Sequence, residues 1–392
     1  MERASRIYLD NNATTRVYPE VVEAMLPYLS THYGNPSSIH SFGREAKGAL
    51  DDAREKIASV IKAKPKEIFF TSCGSESDNW AIKGIAYTNS DKGDHIITSQ
   101  IEHSAILKTC KHLEGEGFKV TYLPVDRYGM VSPSALREAI TDRTVLISIM
   151  HANNEVGTIE PIEETGAIAR EAGIYFHTDA VQSFGKLSID VEKMKVDLLS
   201  LSGHKIHAPK GIGGLYVRRG LRFEPLIHGG EQERGKRAGT ENIPYIVGLG
   251  VAAEIAMRNM AEEGERLRRL RNKLQHGIEE KIGHIYVNGH PTERLPGTLN
   301  VSFEGIEGES ILLSLDLKGI AASSGSACTS GSVEPSHVLV AMGIPPQLAQ
   351  GSVRFSLGGD TTDEDIDYVL EALPPIVDRL RAMSPTYEAA RR

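Results

Sequence analysis

Short apolar runs, each closed by small or polar residues, recur between residues 67 and 219 of this chain. They are EIFFTS (67–72), HIITSQ (95–100), KVTYLPV (119–125), TVLISIMH (144–151), YFHTDA (175–180), DLLSLS (197–202) and GGLYVRR (213–219). Their near-continuous hydrophobicity predicts strands buried on both faces. Segments with helical spacing lie between most of them, for example 41–61, 75–87 and 162–172. That alternation predicts an α/β fold with a parallel-rich sheet covered by helices on both sides. No helical segment separates 197–202 from 213–219, so one antiparallel strand is expected there.

After Asn242 the pattern changes. A long helical region runs to about Lys281, with a break expected near Gly264. Shorter strands are predicted at 298–305, 319–325 and 353–358, and helices at 309–317 and 362–383. This reads as a smaller α+β unit, with the segment before about Thr15 packed against it. At 392 residues the chain exceeds one ordinary core. The expected division is a large domain at 15–260 and a small one made of 1–14 and 261–392.

Composition excludes more than it assigns. A formal net charge of −8 argues against a general nucleic-acid or anionic-membrane surface. The basic run Arg266, Arg268, Arg269, Arg271 and Lys273 is interleaved with Glu262, Glu263 and Glu265, and is expected to be a solvated helix face. No stretch approaches the ~18 apolar residues of a membrane span. The N-terminus MERASRIYLDNN has no apolar signal core, so a cytoplasmic location is expected. Three cysteines, Cys73, Cys110 and Cys328, without paired spacing form neither a disulfide framework nor a self-contained zinc site.

The chemistry lies at the strand ends. A buried parallel strand delivers side chains to the carboxyl edge of its sheet. YFHTDAVQ places Asp179 and Gln182 at one such edge, and LLSLSGHK places Ser202, His204 and Lys205 at another. A pyridoxal phosphate site needs a lysine for the covalent link, a carboxylate to keep the pyridine nitrogen protonated, and donors for the phosphate. Lys205, Asp179, and Ser202 with His204 are the candidates. Lys205 must be neutral to attack an aldehyde, and positive neighbours such as His204 and Lys210 are expected to help it shed its proton. TSCGSES (71–77) follows a strand and opens a helix, so Gly74 and the Ser75 hydroxyl can add to the phosphate cradle. Gln182 and Asn154, in HANNEVGT, are candidates for the phenolic oxygen of the cofactor, and Asn154 also for substrate. His103, after another strand end, is a candidate for stacking on the ring and moving protons.

Two further stretches carry signal. Residues 321–335, AASSGSACTSGSVEP, form a run of small and hydroxyl residues around Cys328 that is expected to be a mobile loop. An exposed thiol there is a liability unless its reactivity is used. Arg354 is the natural clamp for a substrate α-carboxylate. The segment HGGEQERGKRAGTEN (228–242) has the look of an element that crosses a subunit boundary.

Taken together, the motifs resemble the cysteine desulfurases of the NifS/IscS type, among the class-V aminotransferase-like enzymes. The resemblance rests on YLDNNATT (8–15), GNPSSIHSFG (34–43), FTSCGSES (70–77), HANNEVGTIEPI (151–162), FHTDAVQS (176–183), LSGHKIHAPKG (201–211), RAGTEN (237–242), SSGSACTSGSVEPSHV (323–338) and VRFSLG (353–358). SGHKIHAPKG and QERGKRAGTEN look closer to the NifS branch than to the IscS branch. Gly359-Asp360 stands where the family often has an Arg-aromatic pair, and Ser75 where it often has threonine.

The resemblance implies the type I aminotransferase fold. That is a large domain with a mixed, mostly parallel seven-stranded sheet and a smaller α+β domain. It implies pyridoxal 5′-phosphate as cofactor and L-cysteine as substrate, converted to alanine with a persulfide left on Cys328. Lys205 would be the Schiff-base lysine, His103 would stack on the ring, and Asp179, Gln182 and Asn154 would contact it. Gly74, Ser75, Ser202 and His204 would hold the phosphate, with Thr240 supplied by the partner copy in a homodimer. Arg354 would take the substrate carboxylate. No intrinsic metal is expected, although Cys328 could transiently ligate an iron–sulfur cluster with a scaffold partner. The sulfur would pass to an iron–sulfur scaffold or another acceptor protein, for nitrogenase or for general cluster assembly. The alternatives are another pyridoxal phosphate enzyme, such as a selenocysteine lyase or aminotransferase, and a non-enzymatic sulfur carrier.

Overall fold

The computed structural model describes residues 6–324 and 334–384. Its strands in chain order are β1 (Ile7–Tyr8), β2 (Ile68–Thr71), β3 (His95–Ser99), β4 (Lys119–Leu123), β5 (Thr144–Ser148), β6 (Tyr175–Asp179), β7 (Leu198–Ser202), β8 (Gly213–Val217), β9 (Ile285–Asn288), β10 (Thr298–Phe303), β11 (Ile320–Ala321) and β12 (Ser352–Ser356). Seven of them form one sheet in the order β2-β8-β7-β6-β5-β3-β4. Only β8 runs against its neighbours, pairing antiparallel with both β2 and β7. The missing helix between β7 and β8 has the expected consequence.

Side-chain alternation explains how this sheet is buried. Ile68, Phe70, Ile97, Ile147, Phe176, Leu199, Leu201 and Tyr216 join one apolar core, with helix Ser41–Val60 and the first half of helix Ile243–Lys281. The intervening Phe69, Ile96, Leu146, Leu198 and Leu215 join a second, with helices Gly74–Thr88 and Ser104–Gly115. Successive residues point to opposite faces, so each run must be apolar throughout.

A third core lies around β10, β12 and the second half of the long helix, from Leu267 to Ile278. Ile7 and Leu9 are buried in it, and β1 pairs in parallel with β11 through Ile7 and Ile320. The N-terminal segment thus packs where it was expected to. Helix Ile243–Lys281 is unbroken at Gly264, contrary to expectation. A Cβ there would meet nothing within 4 Å, so no close approach requires a bend. A solvent-facing glycine costs a helix only about 1 kcal/mol, and the Glu263–Arg266 pair at 2.8 Å spans the position.

The basic run on this helix is a solvated face only in part: Arg268 and Arg269 are exposed and Arg271 is buried. Arg269 and Lys273 pair with Asp363 at 2.6 and 3.5 Å. Arg271 is buried on the carbonyl of Leu295 at 3.1 Å, and burial pulls its guanidinium down to about 10. These residues fasten the helix to its neighbours. Among the described residues, no helix is long and apolar enough to cross a membrane.

Candidate active site

Five strand ends and the turns that follow them meet at one edge of the large sheet. β2 leads into Gly74 and Ser75, β3 into His103, β5 into Asn154, β6 ends at Asp179, and β7 leads into Lys205. The candidates drawn from separate motifs therefore share one edge, as parallel topology requires.

The phosphate cradle is defined by an unsatisfied group. Ser202 is buried, and its Oγ has no hydrogen-bond partner. A Cβ on Gly74 would lie 2.7 Å from Val181 Cγ2 and 3.4 Å from Ser202 Cβ. Only a glycine lets the start of helix Gly74–Thr88 come this close to the Val181 side chain in the turn after β6. The helix N-terminus supplies unpaired N–H groups, and Ser75 is exposed beside them. A buried hydroxyl without a partner is costly, and a bound phosphate would relieve it. His204 Nδ1 lies 3.2 Å from Thr14 Oγ1. Burial, with Lys205, Lys210 and Lys186, pulls this imidazole down to about 4. At neutral pH His204 is therefore an uncharged donor or acceptor and not the positive neighbour expected for Lys205.

Asp179 is buried at the end of β6, and its Oδ1 accepts from the Val181 N–H at 2.8 Å. Burial raises its affinity for a proton, while His103 and Lys205 pull the other way. A pyridinium nitrogen would complete that second set of forces. Beneath it lies Asp78, raised well above the carboxylate range first by burial and then by Asp179. His177 bridges the Ser148 and Ser200 hydroxyls at 2.9 Å each and is pulled down to about 3 by burial. Burial thus favours the neutral forms of both Asp78 and His177 in the layer next to Asp179.

His103 caps helix Ser104–Gly115, its Nδ1 accepting from the Ala105 N–H at 3.2 Å. An accepting Nδ1 places the proton of the neutral ring on Nε2. Lys205 Nζ donates to the backbone carbonyls of Asn12 at 2.5 Å and Ala13 at 2.8 Å. Gln182 Nε2 donates to the same Asn12 carbonyl at 3.0 Å. Arg354 is 2 % exposed on β12 and donates to the Asn154 carbonyl at 2.9 Å and to Asp10 at 2.8 Å. Its Nε is buried without a hydrogen-bond partner, a donor that a carboxylate would satisfy. Thr240 is exposed, in a segment tied back through Arg237–Glu76 at 2.8 Å. Cys328 lies outside the described residues. Of the other cysteines, Cys110 is buried and pushed up to about 12 by that burial, and Cys73 is half-buried.

These groups fit a phosphorylated pyridine aldehyde. There is a lysine, a buried carboxylate, an imidazole, and a cradle with an unsatisfied hydroxyl. Sequence reasoning missed Asn12, because its backbone carbonyl does the work. It also missed Lys186, whose spacing of four from Gln182 was a usable signal. A cavity of about 340 Å³ adjoins the site, lined by Lys205, Lys186 and Asn12 but by none of Asp179, His103 or Ser202.

The chain matches the family model described as aminotransferase class-V over residues 7–369. A cysteine desulfurase IscS of Methanosarcina thermophila is 60% identical over 379 residues, covering 97% of this chain and 94% of that protein. A cysteine desulfurase IscS of Clostridium botulinum (strain Hall) is 56% identical over 385 residues, covering 98% and 97%. Among solved structures, a NifS-like protein superposes with a TM-score of 0.90 at 44% identity, over 96% of this chain and 100% of that one. The structure titled "SspA in complex with cysteine" gives a TM-score of 0.78 at 43% identity, over 90% and 98%.

Proposed function

The chain belongs to the aminotransferase class-V family and is a pyridoxal 5′-phosphate-dependent cysteine desulfurase, and from that premise we propose how its residues divide the work. Gly74, Ser75, Ser202 and His204 hold the phosphate, with Thr240 contributed by a second copy of the chain in a homodimer. Asp179 pairs with the ring nitrogen, His103 lies on the ring face, and Gln182 and Asn154 stand beside the phenolic oxygen. Lys205 carries the covalent link. The two cores on the large sheet and the separate core around β10 and β12 support a division into a large unit at 15–260 and a smaller one built from 1–14 and 261–392, with a smaller cluster of Ile101, Met150 and Val156 against Val338, Leu339 and Met342 joining them.

When bound, the cofactor supplies a sink for the electrons of the Cα–H bond of L-cysteine. Arg354 receives the substrate carboxylate and fixes its orientation. The Lys205 amine takes the Cα proton and returns a proton later. His103 moves a proton at the substrate sulfur. The Cys328 thiolate attacks that sulfur, so an S–S bond forms as the Cβ–S bond breaks. Cβ takes up a proton, alanine leaves, and Cys328 keeps a persulfide. Thiol exchange then passes the outer sulfur to an iron–sulfur scaffold or another acceptor protein in the cytoplasm.

The observation that carries this reading is the convergence of Lys205, Asp179 and the unpartnered Ser202 hydroxyl on one sheet edge. It is tested by borohydride reduction of the holoenzyme followed by peptide mass analysis, with the cofactor expected on Lys205. A second aliquot treated with L-cysteine should carry added sulfur on the Cys328 peptide. Cys328→Ala should keep the cofactor absorbance and lose alanine-forming turnover. Full turnover in that variant would overturn the role of Cys328.

A further inference from the structure

Lys186 lies four residues after Gln182, half-buried, in the turns that follow β6. Its Nζ donates to Gln182 Oε1 at 3.4 Å. The amide nitrogen of that glutamine donates to Asn12 O, the carbonyl that also receives Lys205 Nζ. One backbone carbonyl thus receives Lys205 directly and is linked to Lys186 through Gln182, and both amines line the 340 Å³ cavity.

The charges that act on Lys186 directly are of its own sign. Lys205 and Arg354 act on it directly, and it in turn acts on His204 and His207. The same cavity is lined by Glu20, Arg258, Glu263 and Asp360. Of these, Glu263 is engaged by Arg266 at 2.8 Å and Asp360 by Arg16 at 3.1 Å. Burial, then Lys205 and Arg354, bring the Lys186 amine down to about 7.

Lys205 faces a conflict that this arrangement addresses. The carbonyls of Asn12 and Ala13 favour its ammonium form, because hydrogen bonds to a charged group stabilise the charge. Capture of an aldehyde needs the neutral amine. A second cation nearby opposes the carbonyls, and like-charge repulsion acts equally on both partners.

We propose that Lys186 is a positioning residue of this enzyme, which orients the Gln182 amide and whose charge makes the Lys205 amine give up its proton more readily. The proposal rests on Lys205 being the cofactor-bearing lysine. It has a particular pH signature. The help exists only while Lys186 itself is charged, so it is present near pH 7 and gone by pH 9.

The test uses the apo-enzyme mixed with pyridoxal 5′-phosphate, with the rate of covalent capture followed by absorbance from pH 6 to pH 9.5. Lys186→Met should capture roughly five- to tenfold more slowly at pH 7, as expected for the loss of about one pK unit of coupling. It should match the unsubstituted chain above pH 9. Lys186→Arg, which keeps the cation, should restore most of the rate at pH 7. Equal rates at pH 7, or a loss of the same size at every pH, would overturn the proposal. Borohydride fixation on both chains separates the two ideas. Cofactor on Lys205 in each, with coincident rates, sinks only the role of Lys186; no cofactor on Lys205 in the unsubstituted chain sinks the reading beneath it.

Discussion

The guanidinium of Arg354 lies 2.8 Å from the carboxylate of Asp10, across a sequence separation of 344 residues. The pair joins β12 to the segment that follows β1. Its second anchor, the Asn154 carbonyl at 2.9 Å, belongs to the turn after β5. Arg354 is thus aimed by two elements of different parentage, with its Nε buried and unpartnered. Arg354→Lys loses the planar fork and should raise KM for L-cysteine by about 100-fold, on the scale of one charge-assisted hydrogen bond. Asp10→Asn should raise KM several-fold with little change in kcat, because only aim is lost. Initial rates of alanine release against cysteine concentration measure both, and an unchanged KM in Arg354→Lys would remove the arginine from substrate binding.

Ser202→Ala should have opposite effects on the two forms of the enzyme. In the apo-form it deletes a buried hydroxyl with no partner, and an orphaned polar group costs about 1–3 kcal/mol. The apo-variant should therefore unfold at equal or higher denaturant concentration. In the holo-form it removes the phosphate contact proposed above, so the Kd for pyridoxal 5′-phosphate should rise about tenfold. Chemical denaturation and cofactor titration give the two readings, and destabilisation of both forms alike would contradict the cradle assignment.

Glu102 ties part of the pH dependence of stability to one oxygen. Its Oε1 accepts from Ser99 Oγ at 2.7 Å and from the Met150 N–H at 3.0 Å, while Oε2 is buried without a partner. Burial raises this carboxyl from 4.5 to about 8. A carboxyl raised on folding contributes fully below its unfolded value, and that contribution is lost as pH climbs through the folded value. The unsubstituted chain should therefore lose stability between about pH 5 and pH 9. Glu102→Gln keeps the acceptor and cannot ionise. It should hold its stability across that window, ahead at pH 9 by on the order of a few kcal/mol. Denaturation midpoints at pH 6 and pH 9 decide it, and parallel shifts in the two chains would refute the assignment.

Arg54 and Glu233 form a buried ion pair at 2.6 Å, and the same carboxylate accepts the Phe70 N–H at 3.0 Å. Glu233 adopts a φ of +46° to reach it, so the 228–242 segment is held to β2 at the cost of local strain. Arg54→Ala leaves a buried carboxylate unpaired and should cost about 3–5 kcal/mol. Thr240 is carried by the same segment, so cofactor affinity should fall as well. Thermal unfolding with and without cofactor checks both parts. A variant as stable as its parent would show that the pair does not hold the segment.

The large sheet was legible because its strands must be apolar at every position, with Phe69 facing one core and Phe70 the other. The candidate site was legible because its side chains end those strands. What escaped lies in interactions that residue types do not announce. Asn12 acts through its carbonyl, and nothing in NNATT marks a backbone oxygen as the seat of two donors. Asp78 looks like an ordinary polar residue at the start of a helix, and only packing places it beneath Asp179. Gly264 was given too much weight as a breaker, since a glycine facing open space imposes no bend. Arg271 passed for a surface charge because its acceptor, the Leu295 carbonyl, is also part of the backbone.

The 39-residue helix from Ile243 to Lys281 is a rod of about 58 Å at 1.5 Å per residue. One end is lodged in the packing under the large sheet and the other in the packing around β10 and β12. Neither region can melt without stripping apolar cover from its half of the rod. Calorimetry should therefore record a single endotherm for this chain, where two separately tethered lobes would give two.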